Sequence, residues 1–226
     1  MTHWRAWFQD TVSSAGDSIA ASHYDSQRSF RARQRLVLDW IGDLQGKIVV
    51  DIGPGAGHFC APLALHNRVI GVDFVPQMLQ YAANKGLVPV QGDAHSLPVA
   101  SARADVVICV GVLQHSDQPD ELLRELLRIC KPGGTIYLVT LNRESLVRYL
   151  YYRLTLADEI MHTYRMVDLM ERFEIMGPGV QAQVGAIYYP FVGVRRVGRH
   201  PGASRWLSTA FALRVTTPQT ASTMLK

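Results

Sequence analysis

Residues 49–59 read VVDIGPGAGHF, and this stretch decides the fold. An apolar run ends in the acid Asp51, and glycines then recur at Gly53, Gly55 and Gly57. The pattern predicts a buried strand that enters a tight turn and then opens a helix. Because glycine has no side chain, a ligand can lie directly against the backbone of this turn, beside the N-terminus of the helix.

A second acid, Asp73, closes the next apolar run at residues 68–73, and the two acids together with the glycines indicate a nucleoside-binding site. Strand-like and helix-like patterns then alternate through residues 46–142, which favours right-handed crossovers and a doubly wound, mostly parallel α/β sheet. Ligands bind such sheets at the carboxyl ends of the strands. The expected elements are strands at 47–52, 69–73, 88–91, 104–110 and 135–141, and helices at 56–66, from 76 to near 86, and at 117–130.

The two ends of the chain differ from this α/β core. We expect residues 1–45 to form a helical cap or lid over the site. Residues 143–226 are expected to hold a helical insertion after the fifth strand, which covers the substrate, and the final strands, with residues 211–216 the best candidate. The predicted whole is a seven-stranded sheet with helices on both faces.

Composition limits the class of protein. Hydrophobic residues make up 48% of the chain and charged residues 19%, as in an ordinary globular protein. No apolar run reaches about 18 residues, so we expect no membrane-spanning helix. The cysteines Cys60, Cys109 and Cys130 have no metal-ligand spacing, and their apolar surroundings predict buried free thiols in the cytoplasm and no metal site.

The net charge of +4 is unevenly distributed, because residues 175–226 contain no Asp or Glu. This basic region is either a solvated tail or a surface for an anionic substrate or a lipid headgroup, so peripheral membrane contact stays open. No dense block of Lys and Arg with interleaved aromatic residues is present, and we therefore expect no nucleic-acid partner.

Five motifs in order make residues 46–141 resemble class I S-adenosylmethionine-dependent methyltransferases of the small-molecule type. The motifs are VDIGPGAG at 50–57, GVD at 71–73, GDAHSLP at 92–98, the fourth strand and its loop at 104–115, and KPGG at 131–134. A dinucleotide-binding enzyme is the nearest rival, but His58 stands where the third glycine of G-x-G-x-x-G would be. The resemblance implies S-adenosylmethionine as the cofactor.

The resemblance also implies roles for single residues around the adenosine. Asp73 would bind both ribose hydroxyls, and Phe74 would lie against the face of the adenine. Asp93 would accept a hydrogen bond from the exocyclic amine, with Ala94 at the adenine edge. A turn-forming role for Asp93 is an open alternative.

The methionine end of the cofactor would meet a second group of residues. Gly53 and Gly55 would let the backbone approach it, and Asp51 would orient the turn or the amino group. Val110, at the end of the fourth strand, would border the sulfonium. Tyr24, in the predicted lid, would stack against the methionine end.

Two histidines are candidates for catalysis. His115 follows the fourth strand, which faces the methyl group in this family, and its unperturbed pKa of about 6.5 suits a general base. The alternative is that His115 only braces the pocket. His162 is the second candidate, because it lies in the segment expected to cover the acceptor.

The expected function is methyl transfer to a small molecule. O-methylation of a hydroxyl or carboxyl group is the first expectation, on a quinone, a lipid-like compound or a secondary metabolite. Methylation of nitrogen or carbon in a small molecule is an alternative, and so is a non-catalytic protein that binds S-adenosylmethionine.

Overall fold

The computed structural model describes residues 7–10, 16–18, 27–155, 161–189, 193–196 and 206–219. Within this part of the chain residues 7–10 are helical, and the further helices are α1 (Gln27–Ile41), α2 (Ala61–Ala64), α3 (Pro76–Ala83), α4 (Pro119–Ile129), α5 (Leu146–Thr155) and α6 (Met166–Met176). The strands are β1 (Ile48–Ile52), β2 (Arg68–Asp73), β3 (Val88–Gln91), β4 (Ala104–Val110), β5 (Cys130–Leu141), β6 (Gln181–Tyr189), β7 (Gly193–Arg196) and β8 (Ala210–Thr216).

These strands form one sheet in the order β3-β2-β1-β4-β5-β8-β6-β7. The first five pair in parallel, and β8, β6 and β7 add antiparallel ladders at the other side. Parallel strands end at one edge, so the loops that follow β1, β2, β3 and β4 meet there. The predicted α/β class is confirmed, and the short β7 adds an eighth strand to the expected seven.

Packing on both faces explains why β4 is apolar almost throughout. Its central residues are buried, as the sequence ADVVICV requires of a strand covered on two sides. On one face α4 buries leucines spaced for a helical stripe, Leu122, Leu123, Leu126 and Leu127. On the other face α1 buries Phe30 and Val37 against the sheet.

The helix predicted at 56–66 is wrong in its start and its length, because the structure forms only α2, Ala61–Ala64. The reason is the backbone of the preceding turn, where Gly53, Gly55 and Gly57 have φ angles of 65°, 53° and 80°. A right-handed helix cannot run through positive φ. A longer loop, and not a helix N-terminus, therefore faces the ligand side of β1.

The C-terminal part adds two details. The KPGG motif at 131–134 lies inside the long β5, where the pairing with β4 has an irregular register between Ala104 and Val106. The strand expected at 211–216 is β8, which lies antiparallel between β5 and β6. No described helix is long and apolar enough to cross a bilayer. The division of the chain into a cap, a core and a covering segment stays a prediction.

Candidate functional site

The glycine turn after β1 forms the floor of the site. The amide of Gly53 donates to the carbonyl of Val72 at 2.8 Å, which ties the turn to β2. A Cβ atom on Gly53 would lie 2.4 Å from Cγ2 of Val112, in the loop after β4. The close approach of these two loops therefore leaves no room for a side chain at this position.

Asp73 lies at the end of β2 and holds the glycine turn in place. One carboxylate oxygen accepts from the amide of Gly55 at 3.1 Å, and the other accepts from the amide of Val75 at 2.9 Å. Burial raises the pKa of Asp73 to about 6, while these bonds and one from the amide of Phe74 pull it down. An acceptor-only group thus stands beside the turn, where the resemblance expects the ribose; contact with the ribose stays a prediction.

Asp51 is only 2% exposed and lies near the end of β1. Burial raises its pKa to about 7, a hydrogen bond from the thiol of Cys60 lowers it, and the charge of Asp73 raises it further. Its Oδ2 atom is buried and has no hydrogen-bond partner among the described residues. Because buried acceptors are almost always paired, this oxygen indicates a place for a donor from a ligand.

The loop after β3 carries Asp93, which forms a compact turn with Ser96. Its Oδ1 accepts from the backbone amide of His95 at 3.0 Å and lies 2.7 Å from Nδ1 of the same ring. The predicted turn-forming role of Asp93 is therefore present. Its contact with adenine, and that of the half-buried Ala94, stay predictions.

The loop after β4 brings His115 to the same edge of the sheet. Val110 ends the strand half-buried, and a short 3₁₀ helix, Leu113–His115, follows it. The ring of Phe8 lies 5.2 Å from the ring of His115 and 5.9 Å from that of Phe74. Phe8 therefore bridges the side expected to hold adenine and the side expected to hold the methyl group.

Trp7 and Phe8 are the residues that the sequence interpretation missed. Trp7 lies 6.4 Å from His115 and 5.0 Å from Phe8, ring to ring, so the N-terminal segment places two aromatic rings over the site. An aromatic pair at the N-terminus is visible in the sequence, but nothing local says where it packs. Tyr24, expected in the same lid, lies outside the described residues.

His162 lies at the rim of the site. Its side chain is 50% exposed, and its Nε2 atom is 3.2 Å from Oδ1 of Asp117. Its backbone amide donates to the carbonyl of Gln114, directly before His115. The two predicted histidines are thus neighbours, but His162 is paired with a surface acid and its catalytic role stays a prediction.

The sheet order and the glycine turn between β1 and α2 define a Rossmann-like methyltransferase domain. Residues 50–138 match the family model described as a methyltransferase domain. The match runs from β1 into β5 and includes every described residue of the site except Trp7, Phe8 and His162. The resemblance to class I S-adenosylmethionine-dependent methyltransferases is confirmed for this domain.

Two curated relatives share about a third of their residues with this chain over the matched part. A ubiquinone biosynthesis O-methyltransferase of Bordetella pertussis is 33% identical over 141 residues, which are 56% of this chain and 58% of the relative. A biotin biosynthesis bifunctional protein of Cellvibrio japonicus is 34% identical over 154 residues, which are 66% of this chain and 30% of the relative. The chain therefore matches less than two thirds of the length of each of these relatives.

A solved structure extends the likeness to almost the whole fold. The magnesium protoporphyrin IX methyltransferase of Synechocystis, determined with bound S-adenosylhomocysteine, superposes with a TM-score of 0.68 at 19% identity. The superposition covers 94% of this chain and 99% of that one. At this identity the likeness establishes the fold alone.

Proposed function

We propose that this chain transfers a methyl group from S-adenosylmethionine to a small-molecule acceptor. The observation that carries the proposal is the unpartnered Oδ2 of Asp51, buried beside a glycine turn that Asp73 holds open. A methionine ammonium is a donor that suits such an oxygen, because a buried carboxylate gains most from a charged partner. Three glycines in the turn leave its backbone free of side chains where the cofactor would pass.

The cofactor supplies a methyl group that is already activated on a sulfonium. The residues of the chain then have to bind the cofactor and the acceptor, orient them toward each other and exclude water from the site. Asp73 would hold the ribose, Asp93 and Phe74 the adenine, and Val110 would border the reacting end. Phe8 and Trp7 would cover the site on the solvent side.

His115 would take the proton of an acceptor hydroxyl. Its ring is fixed by the short 3₁₀ helix below it and by the edge contact with Phe8. A base of this kind adds about 10²–10⁴-fold where the acceptor is a weak acid. A general base at this place favours O-methylation, because a hydroxyl acceptor has to lose a proton, over methyl transfer to an acceptor that needs no base.

A planar, weakly polar acceptor fits the aromatic rings of Trp7 and Phe8 beside His115. The name of the Bordetella relative, which refers to ubiquinone biosynthesis and O-methylation, supports the same class of acceptor. We include a cytoplasmic location in the proposal, because Cys60, Cys109 and Cys130 are free thiols. Transfer to nitrogen or carbon, or binding without transfer, remains the alternative to be tested.

The proposal is tested with S-adenosylmethionine that carries an isotopic label on its methyl group. Purified chain is incubated with a panel of phenols, hydroquinones, carboxylic acids and amines, and labelled products are identified by mass. Transfer to a phenolic or hydroquinone oxygen, lost in His115→Ala while cofactor affinity is kept, supports the proposal. Cofactor binding with no transfer to any acceptor class would favour the non-catalytic alternative.

A further inference from the structure

The ring of His95 joins two loops that the sequence interpretation treated separately. Its Nδ1 atom lies 2.7 Å from Oδ1 of Asp93, in the loop after β3. Its Nε2 atom lies 2.7 Å from Oγ of Ser116, in the loop after β4. The ring is 13% exposed and Ser116 is 3% exposed, so both bonds are shielded from water.

The directions of these hydrogen bonds follow from what each group can do. The Asp93 carboxylate can only accept, so Nδ1 of His95 carries a hydrogen and donates it; with the ring in this tautomer, Nε2 accepts from the hydroxyl of Ser116. The oxygen of Ser116 in turn accepts from the amide of Gln118 at 3.2 Å. The result is one continuous chain of hydrogen bonds from the β3 loop to the start of α4.

Each end of this chain touches a different part of the proposed reaction. Asp93 is the residue expected to meet the amino group of adenine, and its Oδ1 receives both the ring and the backbone amide of His95. Ser116 directly follows His115, the proposed base, and closes the 3₁₀ helix that carries it. His95 is therefore placed to fix both loops at once.

We propose that His95 is a positioning residue that sets recognition of the adenine amino group through Asp93 and couples it through Ser116 to the loop of His115. This inference rests on the proposed function. His95 touches neither the cofactor nor the acceptor in this scheme. It orients the carboxylate that does, and binding of the adenine end thereby stiffens the loop that bears the base.

The first test measures the affinity of the chain for two ligands by calorimetry. S-adenosylhomocysteine has the adenine amino group, and S-inosylhomocysteine has an oxygen in its place. His95→Phe should weaken binding of the adenosyl ligand about tenfold, because the charged hydrogen bond that orients Asp93 is lost. Binding of the inosyl ligand should change less than twofold.

A conservative variant separates positioning from general damage. The amide of Asn can take the place of Nδ1, so His95→Asn should recover most of the selectivity for the adenosyl ligand. His66→Phe is the matched control, since His66 is exposed and precedes β2 at the opposite edge of the sheet. Equal weakening of both ligands in His95→Phe, or no recovery in His95→Asn, would overturn the proposal.

The second test examines the Ser116 arm by a double-mutant cycle on affinity for S-adenosylhomocysteine. Ser116→Ala should weaken binding about threefold in the wild-type background and have no further effect in His95→Phe. Additive effects of the two substitutions would show that His95 does not connect the loops. If the wild-type chain fails to bind the ligand at all, the proposed function falls; if it binds and every variant matches it, only this inference falls.

Discussion

At the scale of single residues, the site depends on two buried acids, and burial makes the ionised form of each energetically unfavourable. Asp51 and Asp73 are both raised in pKa, to about 7 and about 6, chiefly because burial disfavours the ionised form. A protein retains such groups where a ligand makes use of them. Both lie at the strand ends where the cofactor is expected, so the energetic cost of burying these two carboxyl groups is consistent with a role in binding the cofactor.

The raised pKa of Asp51 predicts how stability depends on pH. Between about pH 4 and pH 7 the folded state keeps a proton that the unfolded state has released, so the free energy of unfolding falls as pH rises through this window. Asp51→Asn removes this dependence and should gain stability relative to wild type at pH 8 but not at pH 4, by up to about 4 kcal/mol.

Urea unfolding at several pH values measures this difference. Asp39→Asn, at an exposed acid on α1, is the control and should leave the pH dependence unchanged. A constant offset between wild type and Asp51→Asn from pH 4 to pH 8 would contradict the assignment of a raised pKa.

At the scale of elements, the glycine turn must pack tightly against α3. A Cβ atom on Gly57 would lie 2.8 Å from the Cα of Ala82, and the φ angle of Gly57 is 80°. Gly46 has a φ of 65° but nothing within 4 Å of its added Cβ. Gly46→Ala should therefore cost only backbone strain, about 1–2 kcal/mol, and Gly57→Ala about 1–3 kcal/mol more, because the turn and helix must separate.

Denaturant unfolding measures the free energy of unfolding of Gly46→Ala and Gly57→Ala, and the difference between them gives the cost of the steric clash with α3. Gly57→Ala should also weaken cofactor binding, since a shifted turn misplaces Gly55 and Asp73. Equal losses of stability in the two variants would mean that α3 moves away from the added methyl group of Gly57→Ala with no loss in the free energy of unfolding, which would contradict the prediction.

The N-terminal segment is the other element that completes the site. Phe8→Ala removes the ring that contacts both Phe74 and His115 and should weaken binding of S-adenosylhomocysteine by roughly 2–10-fold, as expected for the loss of aromatic pairs. Stopped-flow measurement should find the change in the dissociation rate, because a cover slows escape. Leu65→Ala, at an exposed residue ahead of β2, should leave that rate unchanged; a Phe8→Ala variant with wild-type dissociation would exclude a covering role.

At the scale of the whole molecule, the sequence predicts what depends on local pattern. The alternation of apolar runs and amphipathic stripes was enough to predict a mostly parallel sheet with its ligand side at the carboxyl ends of the strands, where Asp51 and Asp73 lie, and the family resemblance added His115 to that side. The predicted start of the helix after the turn was wrong, because periodicity does not reveal the positive φ angles of the alternating glycines Gly53, Gly55 and Gly57. Neither the contacts of Phe8 nor the bridge made by His95 could be predicted, since each joins residues distant in sequence.

The central claim is that the edge of the sheet where β1 and β2 end binds an adenosyl cofactor through Asp73. Calorimetric titration of the wild-type chain with S-adenosylhomocysteine tests it most directly. Asp73→Ala and the milder Asp73→Asn are titrated in parallel, with thermal melts to verify folding and Asp39→Ala as the exposed control. We expect one saturable site, lost in folded Asp73→Ala, weakened in Asp73→Asn and unchanged in the control. Absence of binding to the wild type, or wild-type affinity in a folded Asp73→Ala, would contradict the account.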